Sequence, residues 1–127
     1  MKGKVFEYAI IRIVPCVVKQ EFINAGVIVY SRHLRYIGIK YHINDDKLRM
    51  LQPDIDLCLV QQYMKSIEAI CNASERSESE IARQEPPERF RWLTAQRSTI
   101  IQCSPIHTGL AIDGNIILEQ LFTKFII

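Results

Sequence analysis

Glycine is scarce in this 127-residue chain and never clusters: its five glycines stand singly at positions 3, 26, 38, 109 and 114. A loop that cradles phosphate with successive backbone N–H groups needs several glycines close together, so that class of nucleotide site is excluded. The four cysteines, Cys16, Cys58, Cys71 and Cys103, include no pair at the two-residue spacing of a zinc knuckle or a redox dithiol. His33, His42 and His107 lie far apart along the chain, and no metal or other cofactor is expected. No apolar stretch approaches the roughly 20 residues of a membrane helix. Glu7 and Arg12 interrupt the apolar stretch after Lys2 and Lys4, and no small-residue cleavage site follows, so a secretory signal is not expected either. An excess of one charge is missing too. Sixteen basic residues face fourteen acidic ones for a net charge of +2, too small to argue for nucleic acid or an anionic membrane as partner.

What is present fits one ordinary globular core. The length suits a single domain, and 48% hydrophobic with 24% charged residues is a usual balance. Thiols within apolar sequence behave as small hydrophobes and point to a reducing cytoplasm. "FEYAIIRIVP" reads as a central strand, apolar on both faces and ended by Pro15. "AGVIVYS" and "YIGIKY" make two more strands, joined by the short polar tip "RHLR" as a hairpin. "NDDKLRML" predicts a short helix capped by Asn44 or Asp45. From Asp54 to Asn72, Leu59, Val60, Tyr63, Met64, Ile67, Ile70 and Cys71 recur at three- and four-residue spacing, which predicts a helix with one stripe on a core. Residues 74–91 alternate Ser, Glu and Arg around a Pro-Pro pair and read as a surface or mobile segment with a short helix before Pro86. "STIIQC" has strand composition, closed by Pro105, and "NIILEQLFTKFI" predicts a last helix capped by Asp113. The expected fold is α+β: an antiparallel sheet of about four strands packed with two main helices.

Three places resist explanation as packing. Arg12 stands mid-strand with Tyr8, Ile10 and Val14 on its face. Its guanidinium stays charged, so burial demands a carboxylate, carbonyls or a bound anion, and Glu21 and Glu7 are the carboxylates nearest in sequence. In "EFINAG", Glu21 and Asn24 flank Phe22, and Gly26 precedes a buried strand, where it permits a positive φ or close approach of another backbone. In "WLTAQRSTIIQCSPIHTGL", Arg97, Ser98 and Thr99 precede a strand, while Ser104, His107 and Thr108 follow it. The two polar groups would stand about 17–20 Å apart unless the chain doubles back. Gln102 shares a strand face with Ser98 and Ser104. Trp92 lies among Arg89, Arg91 and Arg97, a pattern that either stacks on bases or pins a loop to a core.

These motifs carry a resemblance. A Tyr-Ala-x-x-Arg-x-x-Pro strand, a Glu-Phe-x-Asn-x-Gly turn and a Trp-Leu-Thr-Ala-x-Arg-Ser strand running to Ser-Pro-x-His-Thr-Gly resemble a bacterial family of small proteins of unknown function. The residues that match are Tyr8, Arg12, Pro15, Glu21, Phe22, Asn24, Gly26, Trp92, Leu93, Arg97, Ser98, His107, Thr108 and Gly109. Cys16 stands where an acidic residue is common in that family, and Cys103 where proline is. The resemblance implies a HipA-like kinase as protein partner, because such genes often neighbour the family's, and it implies no established activity.

Two functions follow as expectations. One is a binding or regulatory module whose polar groove is built from Arg12, Glu21, Asn24, Arg97 and Gln102, with Trp92, Ser98, Ser104, His107 and Thr108 as further contacts. The alternative is an enzyme on a phosphate-containing substrate, with Arg12 and Arg97 as anion clamps and Glu21 or His107 as general base. A purely structural ion network of Arg12, Glu21 and Arg97 is the third possibility.

Overall fold

The structure is a computed structural model that describes residues 3–75, 77–95 and 99–127. Five antiparallel strands form the sheet: β1 (Lys4–Cys16), β2 (Glu21–Ser31), β3 (Tyr36–Tyr41), β4 (Ile101–Cys103) and β5 (His107–Ala111). The order is β3-β2-β1, and both β4 and β5 pair with the free edge of β1, one after the other along it. Four α-helices accompany them: α1 (Asp45–Leu51), α2 (Leu57–Cys71), α3 (Pro86–Thr94) and α4 (Gly114–Phe125). The fold is α+β, as expected, with one strand (β5) and one helix (α3) beyond the sequence reading; α1 is the short helix expected after Asn44.

Alternation along β1 makes the sheet the middle of three layers. Phe6 and Ile10 join Val27 and Val29 of β2 under Leu118 and Leu121 of α4. Ala9, Ile11 and Ile13 join Ile28 and Tyr30 on the other face, against Leu48, Val60, Met64, Phe90 and Leu93 of α1, α2 and α3. Caps fix where the helices start. The side chains of Asn44, Asp56 and Asp113 each accept a hydrogen bond from a backbone N–H in the first turn of α1, α2 and α4.

Three features of the chain depart from the sequence reading. β1 runs through Pro15 to Cys16, because the pairing with β2 slips between Ile13 and Cys16 and no ladder bond is asked of the proline there. The Pro-Pro pair starts α3 instead of ending a helix, since prolines at N1 and N2 need no N–H; the turn before it is a short 3-10 segment at Glu80–Arg83. Residues 74–91 thus hold much of α3, and Ala82, Arg89 and Phe90 are buried. The Trp92–Leu93–Thr94 motif, read as strand, is the last turn of α3.

A second slip between Ile11 and Arg12 makes Ala25 the extra residue of a β-bulge in β2. Gly26 lies beside it and opposite Tyr41 of β3, where an added Cβ would meet the Tyr41 Cβ at 2.7 Å and the Lys40 carbonyl at 2.9 Å. Its φ is not positive. Of the two reasons for glycine offered by the sequence, close backbone approach is the one that applies.

Candidate functional site

The apolar cluster under α4 draws Phe6, Tyr8 and Ile10 from β1. Arg12 is the next side chain on that face. The bulge at Ala25 brings Asn24 opposite Arg12 on one side, and Gln102 of β4 stands opposite it on the other. Asn24, Arg12 and Gln102 therefore form one row across three strands. Phe22, two residues before Asn24 on β2, lays its ring 4.3 Å from the Arg12 guanidinium carbon, a cation–π contact worth about 0.5–2 kcal/mol. The ring is 45% exposed, so Arg12 is roofed from one side only.

The electrostatics of the row are unbalanced. The ion pairs among the described residues are Lys40–Glu119 and Arg49–Asp46, so Arg12 has no carboxylate within ion-pair distance. Its Nε and the Asn24 Oδ1 are both buried, and neither has a hydrogen-bond partner. A buried donor and a buried acceptor left unmade cost roughly 1–3 kcal/mol each. Gln102 is turned to its own chain, with its side-chain amide donating to the Thr99 carbonyl at 2.9 Å.

Glu21 does not join this row. It pairs with Cys16 at the far end of the β1–β2 ladder and is exposed. Glu7 stands opposite Tyr30. The expected ion network of Arg12 and Glu21 is thus replaced by the Phe22 ring, because Glu21 stands opposite Cys16, four residues along β1 from Arg12. Arg97 and Ser98 lie outside the described residues.

His107 and Thr108 begin β5, opposite Tyr8 and Glu7. The His107 imidazole packs on the Tyr8 ring with centroids 5.3 Å apart, and Tyr8 in turn stacks on Phe125 of α4. Tyr8 and Arg12 are four residues apart on one strand, about 13 Å. The chain does not double back between β4 and β5, so His107 and Arg12 are separate features. Among the described residues no three His, Cys, Asp or Glu converge as metal ligands.

Ser104 is fully buried and has its role within the fold. Its Oγ accepts from the Ile10 N–H at 2.8 Å and donates to the Pro105 carbonyl at 2.9 Å, while its own N–H reaches the Ile10 carbonyl. It braces β1 where β4 has ended and β5 has not begun. Ser104→Ala is expected to cost about 1–3 kcal/mol, the penalty for stranding a buried N–H. Chemical denaturation checks this; a loss within ~0.5 kcal/mol, as for an ordinary surface change, would mean that Ser104 is free for another role.

On the opposite face the stretch around Trp92 lines an apolar cleft of about 650 Å³. Trp92, Leu93 and Ala95 form one wall with Ile100 and Ile101, Leu59, Tyr63 and Ile67 of α2 form the other, and Ile11 and Ile28 make the floor. The helical stripe read from the sequence was too wide: Val60 and Met64 are fully buried, but Leu59 and Tyr63 are 36% and 43% exposed at the cleft mouth. Trp92 lines this cleft, while Arg89, one turn earlier, is buried at a different one.

Sequence reasoning passed over Phe22 as a site residue. The signal was present, because Phe22 and Asn24 are two apart on one strand and share a face. No helix among the described residues is long and apolar enough to cross a membrane. Neither the curated proteins nor the solved structures compared with this chain give a match. A family model described as protein of unknown function (DUF3037) matches residues 8–126, which takes in Arg12, Asn24 and the whole stretch from Trp92 to Gly109, and the chain belongs to that family.

Proposed function

We propose that the protein is a binding module that receives an acidic or phosphorylated segment of a protein partner on the row of Asn24, Arg12 and Gln102. The observation that carries this reading is the pair of buried, unpartnered atoms, Arg12 Nε and Asn24 Oδ1. One offers a hydrogen and the other accepts one, beside a positive charge that no carboxylate among the described residues neutralises. A peptide unit next to an anionic side chain satisfies all three demands at once. Folding alone gives no reason to keep them unsatisfied. The motif resemblance supplies the partner to try first, a HipA-like kinase.

Enzymatic action on a phosphate-containing substrate has less support. A general base has to reach the reacting proton directly or through one water. Glu21 is exposed beyond the slip in register, and His107 is packed on Tyr8 about 13 Å along the strand from Arg12.

The test is capture of partners from the protein's own cells with wild type and Arg12→Gln, followed by affinity measurement on whatever is retained. Loss of a charge-assisted contact is expected to weaken binding about tenfold or more. Thermal stability should stay within about 1 kcal/mol of wild type, because the lost Phe22 contact is offset by removal of a half-buried charge whose Nε has no partner. Unchanged affinity in a folded variant, or a variant that unfolds, would overturn this reading in favour of another interface or a structural arginine.

A further inference from the structure

A second arginine is more deeply buried than Arg12 and is equally unmatched. Arg89, in the second turn of α3, is only 8% exposed. One of its terminal nitrogens donates to the Gln84 carbonyl at 2.6 Å, while its Nε is buried with no hydrogen-bond partner. No carboxylate among the described residues comes within ion-pair distance of it. An arginine removed from water normally meets a carboxylate or several carbonyls, since it cannot shed its proton. Arg89 has one carbonyl. The nearby carboxyl end of α2 adds the negative end of a helix dipole and leaves Nε unbonded.

The surroundings of Arg89 are those of a small site. It lines a cleft of about 420 Å³ between the end of α2, at Ala73–Glu75, and the connection Ala82–Glu85 that leads into α3. The walls are mixed, about as polar as apolar, where the cleft beside Trp92 is mostly apolar. Arg83 lines the same cleft and is exposed, with its guanidinium leaning on the Ser79 carbonyl at 3.2 Å. Glu75 and Glu85 also line it and are exposed. The charge is therefore layered. A cation lies within, where the dielectric is low, and both signs lie outside, where water screens them.

We infer that this cleft is a binding site for a small oxyanion, a carboxylate or phosphate group, seated on Arg89 with Arg83 as outer contact. The planar fork of guanidinium suits two oxygens of such a group. The two rim glutamates oppose a polyanion, so the rest of the ligand is neutral or cationic. This site is independent of the Arg12 row, which lies on the α4 face of the sheet, whereas α2 and α3 pack on the other.

Inorganic phosphate and acetate are the probes, titrated at low ionic strength into the full chain and into Arg89→Met, Arg89→Lys and Arg12→Gln, with thermal shift and amide chemical-shift mapping as readouts. Wild type and Arg12→Gln should bind at least one probe, with shifts centred on residues 73–75 and 82–89. Arg89→Met should bind about tenfold more weakly or not at all, and Arg89→Lys should fall between. Retention by Arg12→Gln separates this result from the fate of the Arg12 reading. Failure of wild type to bind either probe would overturn the proposal. So would equal binding by Arg89→Met, or shifts that map elsewhere. If Arg89→Met does not fold, Arg89→Lys decides: unaltered phosphate affinity in that variant overturns the bidentate seat.

Discussion

Phe90→Ala should destabilise the protein by about 3–5 kcal/mol, the cost of deleting a buried phenyl ring and leaving its cavity. Phe90 is 1% exposed and stacks on Tyr30 of β2 with ring centroids 5.5 Å apart. That stack pins α3 to the middle of the sheet, and through α3 it holds Trp92 and Leu93 at the apolar cleft. A small domain has roughly 5–15 kcal/mol to lose, so the variant should unfold at a clearly lower denaturant concentration. Arg91→Ala, one residue along and exposed, is the control and should lie within about 0.5 kcal/mol of wild type. A loss below about 1 kcal/mol for Phe90→Ala would mean that the site collapses around the missing ring. The α3 helix would then not be the rigid wall that its packing on Tyr30 makes it.

Phe90 also shows why this part of the chain was hard to read. Ser, Glu and Arg surround it, and a single apolar residue sets no period. The strong periods were legible: α2 and α4 carry repeated apolar faces and acidic caps at Asp56 and Asp113, and the three strands of the meander carry β-branched runs. The strand β5 was missed because His107–Ala111 is polar, half exposed and short, and draws its place from Lys4–Tyr8 of β1, a hundred residues away. Trp92 and Thr94 have side chains that favour strands, yet the paired prolines at the start of α3 and the docking of Phe90 hold them helical; tertiary context overrides propensity there.

The candidate site was legible in its members more than in its geometry. Arg12 stood out because a permanent charge interrupts an apolar strand. That Asn24 and Gln102 are the residues beside it depends on register, and register here depends on a bulge at Ala25 that no local pattern announces. Glu21 is only nine positions from Arg12 in sequence, yet the hairpin sets it opposite Cys16, four residues along β1. Arg89 was seen only as one of the arginines around Trp92. Its burial follows from the side of α3 that Phe90 and Leu93 commit to the core.

Alkaline pH should unfold the protein early, and Cys71 is the largest single reason. Burial pushes its thiol from 9.0 up to about 12; the nearby positive charge of Arg89 opposes this, and the negative charge of Glu68 adds to it. The unfolded chain thus releases this proton at a lower pH than the folded one. Below pH 9 both states hold the proton, and the stabilising term is fully present. Between pH 9 and about 12 the unfolded state ionises first, and about 4 kcal/mol of stability is lost across that window. Tyr36 and Tyr41, also raised, act in the same direction, Tyr36 through burial and the charges of Cys71, Asp113 and Glu119, Tyr41 through burial and its hydrogen bond and proximity to Glu68. Cys71→Ala isolates the thiol, since an apolar side chain cannot ionise and both tyrosines remain. Unfolding free energies measured from pH 8 to 11 should fall markedly more steeply for wild type than for Cys71→Ala. The exposed Cys58 should react with an alkylating reagent at pH 8, while Cys71 reacts only on unfolding. Parallel slopes for the two proteins would place the alkaline transition on the tyrosines instead, and rapid alkylation of native Cys71 would show that the layer between α2 and the sheet opens far below the global unfolding free energy.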